Sequence, residues 1–581
     1  MQPSGKAGEL FAAFSRTTAK AFADERLIAC PTLSKAPNYG DVLRRFLTGA
    51  PHEPCGVRKR LNIALRYCLN NFGHFFFLVL VRLYISALRW KLPAALSTGA
   101  GGTDGQRAAP EAFHGVPHEA ASPETKALPF IIDTFALLPG IAGKGSYQEG
   151  YLPGLYEAAG KSRRPVRFYR LYGTRHPTLT WKAMNILARN GEGFTDVHLF
   201  TWEDWFLLLR HICVYPFALR RLIRSLGQFP PESPEAYIHE ALIATSGQNA
   251  VTGESRRLAG LRLGRLLAPH AVSSTESNTV NSPLLVSWYE NQTVDKALHK
   301  GLRQAASQSG ARIPTLGAQL LVWPDTLLNN HPDDGEAALG LAPDRVLVNG
   351  PWFLPESSTQ DYAVGPALRY NHLFFLEETR TAGTSPAPGA PPASGSHEAS
   401  GKPKNAETSG AAADIPALPL LALLSYHPEE IERVLALLLT LSAKGVSIVY
   451  KFHPATRPES FSRLLPPTPR LSSAPLMDAL AGAGAVIGSG SGSLAEAAAL
   501  GIPVLAVRDP SGIPGMDLHY LPPMGQGQLW ENILHDRDIE PALARLSAFR
   551  ATPGHAAAVK QLKAALFTPP TPETIRNSFG L

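Results

Sequence analysis

From residue 126 onward the apolar positions fall into short runs, separated by longer stretches with helical spacing. Leu128 to Leu138 (LPFIIDTFALL), Val166 to Leu171 (VRFYRL), Val197 to Thr201 (VHLFT), Leu284 to Trp288 (LLVSW), Thr315 to Val322 and Val346 to Val348 read as strands. Trp202 to Leu226 and Gln292 to Ala305 read as helices among them. Past residue 416 the alternation returns, with strands expected at 418–424, 446–450, 485–487 and 503–507 and helices at 428–442 and 494–500. The helix from 428 is the best signalled. Pro428 opens it, Glu429, Glu430 and Glu432 fill its first turn, and Lys444 and Gly445 close it. Apolar runs alternating with helices predict α/β domains built on parallel sheets, whose loops and ligands gather at the carboxyl ends of the strands.

Two stretches break this pattern. Residues 96–125 and 382–415 are rich in Gly, Ala, Pro and Ser and have no apolar period, so both are expected to be flexible linkers. They divide the chain into an N-terminal helical region (1–95), a Rossmann-like domain (126–381) and a second Rossmann-like domain (416–581). In the first region, Asn71 to Leu88 (NFGHFFFLVLVRLYISAL) is strongly apolar, but Arg82 interrupts it and it falls short of the roughly 20 residues that span a bilayer. Arg58, Lys59, Arg60 and Arg66 precede it, Arg89 and Lys91 follow it, and Tyr84 and Trp90 are interface-type aromatics. Two readings fit residues 71–90: a helix lying on the cytoplasmic face of a membrane, or a core helix of a helical unit.

Composition narrows the partners. The 581 residues carry a formal net charge of +7, which favours an anionic partner, but the charge is spread and does not choose among nucleotide, glycan and lipid. Cys30, Cys55, Cys68 and Cys213 form no CxxC or Cys/His spacing, which argues against zinc and a disulfide framework and suits a reducing cytoplasm. The opening MQPSGKAGELFAAF lacks a signal-peptide pattern. A cytoplasmic protein is expected, on the inner membrane face if 71–90 binds lipid. No helix-turn-helix, zinc finger or RNP signature is apparent, so no nucleic-acid partner is expected.

Two segments of the last domain carry candidate chemistry. KFHPATRPE (Lys451 to Glu459) follows the strand VSIVY and puts His453 at the strand's carboxyl end, where Pro454 stops the strand. An imidazole there can bond a phosphate oxygen and carry charge near neutral pH, and Lys451 and Arg457 add positive potential. The second segment is AVIGSGSGSLAEAAALGIPVLAV (Ala485 to Val507), a strand running through a Gly/Ser loop into a helix. Gly490 and Gly492 let the backbone approach an anion, and Ser489, Ser491 and Ser493 supply hydroxyls, Ser493 alternatively serving only as a helix cap. The run matches neither GxGxxG nor a P-loop. Glu496 lies one turn into the helix, placed to accept hydrogen bonds from a ribose.

KFHP followed by strand–GSGSGS–helix–GIPVL resembles the nucleotide-binding half of GT-B transferases with an HP motif: bacterial sialyltransferases, capsule Kdo transferases and teichoic-acid glycerophosphotransferases. The resemblance covers about 130 residues of the last domain. It implies two Rossmann-like domains facing a cleft and a glycosyltransferase of surface-polysaccharide (capsule or lipopolysaccharide) assembly. The donor it implies is a nucleotide-sugar, CMP- or CDP-linked, and the acceptor a glycan or lipid-linked glycan. It assigns phosphate contact to His453, Ser489, Ser491 and Ser493 and the donor ribose to Glu496, with no bound metal and no further cofactor. The alternatives are another enzyme on the same fold, a glycerophosphotransferase or, less favoured because no clear acid/base set of that family is found, a sugar epimerase, and a non-catalytic binding subunit. The GSGSGS run is more glycine-rich than those families.

Transfer to a hydroxyl needs a base. Three strand-end carboxylate positions offer one: Glu290 in WYENQ, Asp133 in FIIDTF, and the pair Glu203–Asp204 after VHLFT. Glu290 is preferred, because Trp288, Tyr289, Asn291 and Gln292 make a polar-aromatic cluster of the kind that binds sugar; Asp133 is second. Arg369 in VGPALRY is placed to meet an anionic donor or acceptor. Asp333–Asp334 reads as a solvated turn rather than a metal motif.

Overall fold

A computed structural model describes residues 5–35, 42–51, 56–96, 128–174, 176–271, 282–319, 321–324, 327–374, 419–454, 456–509 and 520–581. Apart from Leu96, the two expected linkers lie outside them. The described residues form two compact units: 5–369 with 566–581, and 370–509 with 520–565.

The first unit is built on seven strands: β1 (Pro129–Leu137), β2 (Arg164–Tyr172), β3 (Gly193–Thr195), β4 (Leu284–Tyr289), β5 (Thr315–Gln319), β6 (Arg345–Val348) and β7 (Asp361–Val364). All neighbours are parallel and the order is β3-β2-β1-β4-β5-β6-β7. The strand order therefore reverses between β1 and β4, a doubly wound arrangement. One expected strand is a helix instead. Val197–Thr201 falls within and after the helix Asp196–Leu199, because Thr195 and His198 form a capping box that turns the chain out of β3. On one face of the sheet the helices Val251–Leu267 and Thr293–Ser309 pack very closely. Their glycines allow it: a Cβ on Gly301 would lie 2.0 Å from the Arg257 carbonyl oxygen, and one on Gly260 2.4 Å from that of Leu298.

The N-terminal helices join this same core, with Leu10, Phe14, Phe46 and Val81 in one apolar cluster with Ile131 and Phe168. Buried Lys35 fixes them electrostatically, pairing with Asp333 and, at 3.0 Å, with Glu336, which also accepts from buried Lys296 at 2.8 Å. Asp333 is thus an enclosed ion-pair partner, against the expectation of a solvated turn. The chain's end also returns to this unit. Ile575 and Phe579 of the helix Pro572–Phe579 pack with Phe130, Ile132, Leu284 and Val286, and the Thr568 amide donates to the Asn349 carbonyl at 2.6 Å. The sequence reading had kept residues 566–581 with the second domain, since no linker-like composition marks the crossing.

The apolar N-terminal stretch is part of a longer helix, Val57–Ala87. One side, with Tyr67, Asn71, Phe77, Leu78, Val81 and Ile85, is buried, while Leu61, Leu65, Leu69, Phe76 and Leu83 on the other are exposed. It is long and apolar enough to cross a membrane by length and composition.

The second unit carries β8 (Leu420–Leu424), β9 (Ile448–Phe452), β10 (Arg470–Leu471), β11 (Ala485–Gly488), β12 (Val504–Val507) and β13 (Trp530–Ile533). They form a parallel sheet in the order β10-β9-β8-β11-β12-β13, which reverses between β8 and β11. Two doubly wound parallel sheets in one chain, with an N-terminal helical extension, is the α/β class that the sequence predicts.

Candidate functional site

In open parallel sheets, ligands bind beyond the carboxyl ends of the strands where strand order reverses. Each unit has one such point, and sequence-predicted residues stand at both.

In the first unit, Glu290 is the residue immediately after β4, beside β1. Burial, and then the charge of Asp295, push its carboxyl up to about 7, against the opposing pull of Arg369, Arg170 and a hydrogen bond from Gln292. That bond runs from Gln292 Nε2 to Glu290 Oε2 at 2.7 Å. The next residue, Asn291, holds a left-handed φ of 51°, a conformation that Asn adopts more readily than most residues. Its side chain donates to the Asn329 carbonyl at 2.8 Å, and Asn329 Nδ2 donates to the Glu290 carbonyl at 2.5 Å, so the turn that aims Glu290 is braced from both sides. Aromatic rings crowd the same strand ends. Tyr151 stacks on Trp288 with centroids 5.0 Å apart, and Phe135 meets Trp288 edge-on at 4.2 Å. The buried Trp288 indole N–H has no hydrogen-bond partner among the described residues. Arg369 is exposed, and its charge is felt by both Glu290 and Tyr151.

Asp133 corrects the sequence reading. It lies in the middle of β1 rather than at its end, and it is fully buried. Arg256 donates to it at 2.8 Å and Arg170 at 3.0 Å, and Arg170 also pairs with Asp295 at 2.6 Å. Burial alone would raise its pKa, but the Arg170 and Arg256 guanidiniums prevail and hold the carboxyl below its ordinary value. Asp133 is thus a buried ion-pair centre, poorly suited to take a proton. The Glu203–Asp204 pair is likewise not at a strand end: both lie in the first turn of the helix Trp202–Leu226. There Asp204 accepts from the Thr201 amide at 2.8 Å and from Arg262 at 2.9 Å, while Glu203 is exposed.

A cavity of about 500 Å³ is lined in part by Gln292, which bonds Glu290, while Glu290 itself is not part of the lining. The cavity's polar side includes Arg170, Asp196, Arg256 and Thr293, and its apolar side Phe77, Leu78 and Val81 of the helix Val57–Ala87. Arg256 and Thr293 are among its lining residues, and their Nε and Oγ1 atoms are buried without hydrogen-bond partners among the described residues. Asp196, paired with Arg256 at 2.7 Å, has its carboxyl raised by burial. Sequence reasoning missed it, because VHLFT was read as a strand and hid the true strand end at Thr195.

In the second unit, β8 lies between β9 and β11, so His453 and the loop after β11 flank one strand end, roughly 10 Å apart at ordinary strand spacing. The His453 amide donates to the Leu424 carbonyl at 3.0 Å, and its ring lies 5.4 Å from that of Tyr426. Burial lowers its pKa, so the imidazole is neutral near pH 7, where the sequence reading allowed it a charge. The Lys451 ammonium donates to the Ala474 carbonyl.

The Gly/Ser loop is partly committed to the fold. A Cβ on Gly488 would lie 2.5 Å from the Leu423 carbonyl oxygen, and Gly490, at φ 57°, lies against the Glu430 carboxylate, which Ser425 Oγ also binds at 2.7 Å. Among the described residues, Gly492 has only Tyr520, at 3.8 Å, near its missing side chain. Ser489 Oγ is buried with no partner among the described residues. Gly492, not Ser493, is the N-cap residue of the helix Ser493–Ala499, and the Ser493 amide donates to Ser491 Oγ at 3.3 Å. Glu496 is buried and accepts a hydrogen bond at 2.7 Å from His372 Nε2, a residue that no sequence motif marks.

No protein-family model and no curated protein matches the chain. Solved structures similar to it include the glycosyltransferase SnogD from Streptomyces nogalater, 12% identical over 78% of this chain and 99% of that one, with a TM-score of 0.36. A UDP-GlcNAc 2-epimerase from Neisseria meningitidis bound to UDP-GlcNAc is 11% identical over 78% and 99%, with a TM-score of 0.39. A glycosyltransferase from Rickettsia africae is 10% identical over 78% and 97%, with a TM-score of 0.37.

Proposed function

We propose that this chain is a GT-B glycosyltransferase that moves a sugar from a nucleotide-sugar donor to the hydroxyl of a glycan or lipid-linked glycan in surface-polysaccharide assembly. The observation that carries the reading is Glu290. It is a carboxylate at the strand-order reversal of the first sheet, with its proton affinity set near neutral and stacked aromatics at the same strand ends, and its partner Gln292 lines a cavity. A base works best when its pKa lies near the working pH. In the proposed step Glu290 takes the acceptor hydroxyl proton, the acceptor oxygen bonds to the anomeric carbon, and the bond to the donor phosphate breaks, its electron pair leaving with the nucleotide. Arg369, exposed beside Glu290, meets the anionic part of donor or acceptor.

The donor is assigned to the second unit. His453, Ser489, Ser491 and Gly492 would contact phosphate, and Glu496, oriented by His372, the ribose. Following the sequence resemblance, a cytidine nucleotide is the first expectation, the reaction uses no bound metal, and the site of action is the cytoplasmic side of the membrane. A binding subunit without turnover is the second reading; the Glu430 carboxylate against Gly490 leaves Ser491 and Gly492 as the part of the loop open to a phosphate.

The test is binding of CMP, CDP, UDP, GDP and ADP to the wild type and to His453→Ala and Ser491→Ala, followed by turnover with the bound nucleotide's sugar, with and without EDTA. One nucleotide lost in both variants fixes the site. CDP selects the glycerophosphotransferase alternative for assay. Binding without transfer selects the subunit reading, and no binding by any nucleotide overturns the donor assignment.

A further inference from the structure

Two helices of the first unit turn apolar faces outward together. On Val57–Ala87, Leu61, Leu65, Leu69, Phe72, Phe76 and Leu83 recur three, four or seven residues apart, which puts them on one side. On Trp202–Leu226, Trp202 is 90% exposed, Phe206 69% and Phe217 71%, and Leu209 and Cys213 complete the stripe. The helices run antiparallel in contact. Tyr67 stacks on Tyr215 and donates to the Ile212 carbonyl at 2.9 Å, and about two to three helical turns further on Phe75 meets Trp205 at 5.9 Å. On each helix the exposed stripe lies about a third of a turn from this contact, in the same rotational sense. In an antiparallel pair that places both stripes on the same side.

We infer that this paired face docks the protein flat on an anionic lipid bilayer. Charge selects the occupant. The helix Val57–Ala87 contains no acidic residue and carries Arg58, Lys59, Arg60, Arg66 and Arg82. The stripe on Trp202–Leu226 runs into Arg220 and Arg224, with Arg210 and Arg221 also exposed. Asp204, one of that helix's two acidic residues, is buried and paired with Arg262. Apolar stripes ending in exposed arginines, with an outlying tryptophan, fit headgroups and the upper acyl region. The helix lies in the plane rather than across it, because its inner side is tied down: Asn71 Oδ1 accepts from the Ala250 amide at 2.8 Å and Tyr67 is anchored as above. The same helix's inner residues Phe77, Leu78 and Val81 wall the cavity that Gln292 lines. On the proposed transferase reading, the face therefore brings the cavity to a lipid-linked acceptor; the docking itself does not depend on that reading.

The experiment is flotation of the full-length protein with phosphatidylcholine vesicles and with mixed phosphatidylglycerol–phosphatidylcholine vesicles, alongside its sedimentation state without lipid. Leu65→Glu/Phe76→Glu and Trp202→Glu/Phe206→Glu replace exposed side chains, so the circular dichroism and melting curves should match wild type. The wild type should float with the anionic vesicles and release at high salt, and each double variant should lose roughly tenfold or more in partition. A wild type that stays in solution with both vesicles overturns the proposal. So does a Trp202/Phe206 variant that floats like wild type, since the face would then not be paired. A lipid-independent dimer abolished by the same variants would assign the face to a second copy instead. Flotation reads docking whether or not the protein transfers sugar, so a failure here is distinct from a failure of the transferase reading.

Discussion

Gln292 Nε2 donates to Glu290 Oε2 at 2.7 Å, and this short-range bond opposes the burial that raises Glu290's proton affinity to about 7. A carboxylate so balanced is half ionised near neutral pH, and its neighbours are levers on its titration.

If Glu290 is the base, kcat/KM of the proposed transferase rises with pH through about 7 and levels above it. Glu290→Gln should lower kcat by roughly 10²–10⁴-fold with little effect on nucleotide affinity. Arg369→Ala and Gln292→Ala each remove a group that favours the charged form, so both should move the midpoint upward, Arg369→Ala further. A pH–rate profile of the three variants checks this, and an unshifted midpoint in Arg369→Ala would remove Glu290 from the role.

The same shift has a consequence for stability. Glu290's folded pKa is raised above its ordinary value of 4.5, so its contribution to stability is fully present below about 4.5 and is lost as pH rises through about 7. Glu290→Gln should therefore melt higher than wild type at pH 8 and close to it at pH 5. The gain at pH 8 should be on the order of 1–2 kcal/mol, allowing for partial exposure. Calorimetry at the two pH values measures it.

Asp133→Asn should behave in the opposite way. It leaves Arg170 and Arg256 buried with less compensation, which costs about 3–5 kcal/mol, and it should not shift a pH–rate midpoint in any protein that still folds. Urea unfolding, with the pH profile of the folded fraction, separates this scaffold role from catalysis.

These contrasts show what could be read in advance. β1, β2, β4, β5, β6, β8, β9, β11 and β12 follow from apolar runs, whereas β3, β7, β10, β13 and the strand order do not; Glu290 and the loop after β11 stand out because each directly follows such a run. Asp133 was misplaced because LPFIIDTFALL does not mark where its strand ends, and the guanidiniums that claim it, Arg170 and Arg256, lie 37 and 123 residues away. Asp196 was hidden because β-branched and aromatic residues in VHLFT outweighed a capping signal spread over Thr195 and His198. His372 could not be chosen, since its partner Glu496 is 124 residues distant and only the folded sheet brings them together.

That pair can be tested by a double-mutant cycle. If His372 orients Glu496 for a ribose, His372→Ala and Glu496→Gln should each weaken nucleotide binding, and the double variant should lose less than the sum, with a coupling of about 0.5–3 kcal/mol. Titration calorimetry with the nucleotide identified in the panel gives the four affinities, and strict additivity would mean that the two residues do not act as a unit.

The glycines of the loop after β11 separate folding from binding. Gly490 has φ 57° and a Cβ there would fall 1.9 Å from Glu430 Oε2, so Gly490→Ala should destabilise the second unit by about 1–3 kcal/mol with or without nucleotide. Gly492 has φ −60° and, among the described residues, the nearest neighbour to an added Cβ is 3.8 Å away, so Gly492→Ala should leave the melting temperature nearly unchanged. If a donor phosphate lies against this backbone, that one methyl group should still cost tenfold or more in nucleotide affinity, because the ligand and not the protein meets it. An affinity equal to wild type in a well-folded Gly492→Ala protein would move the phosphate away from Gly492 and toward His453.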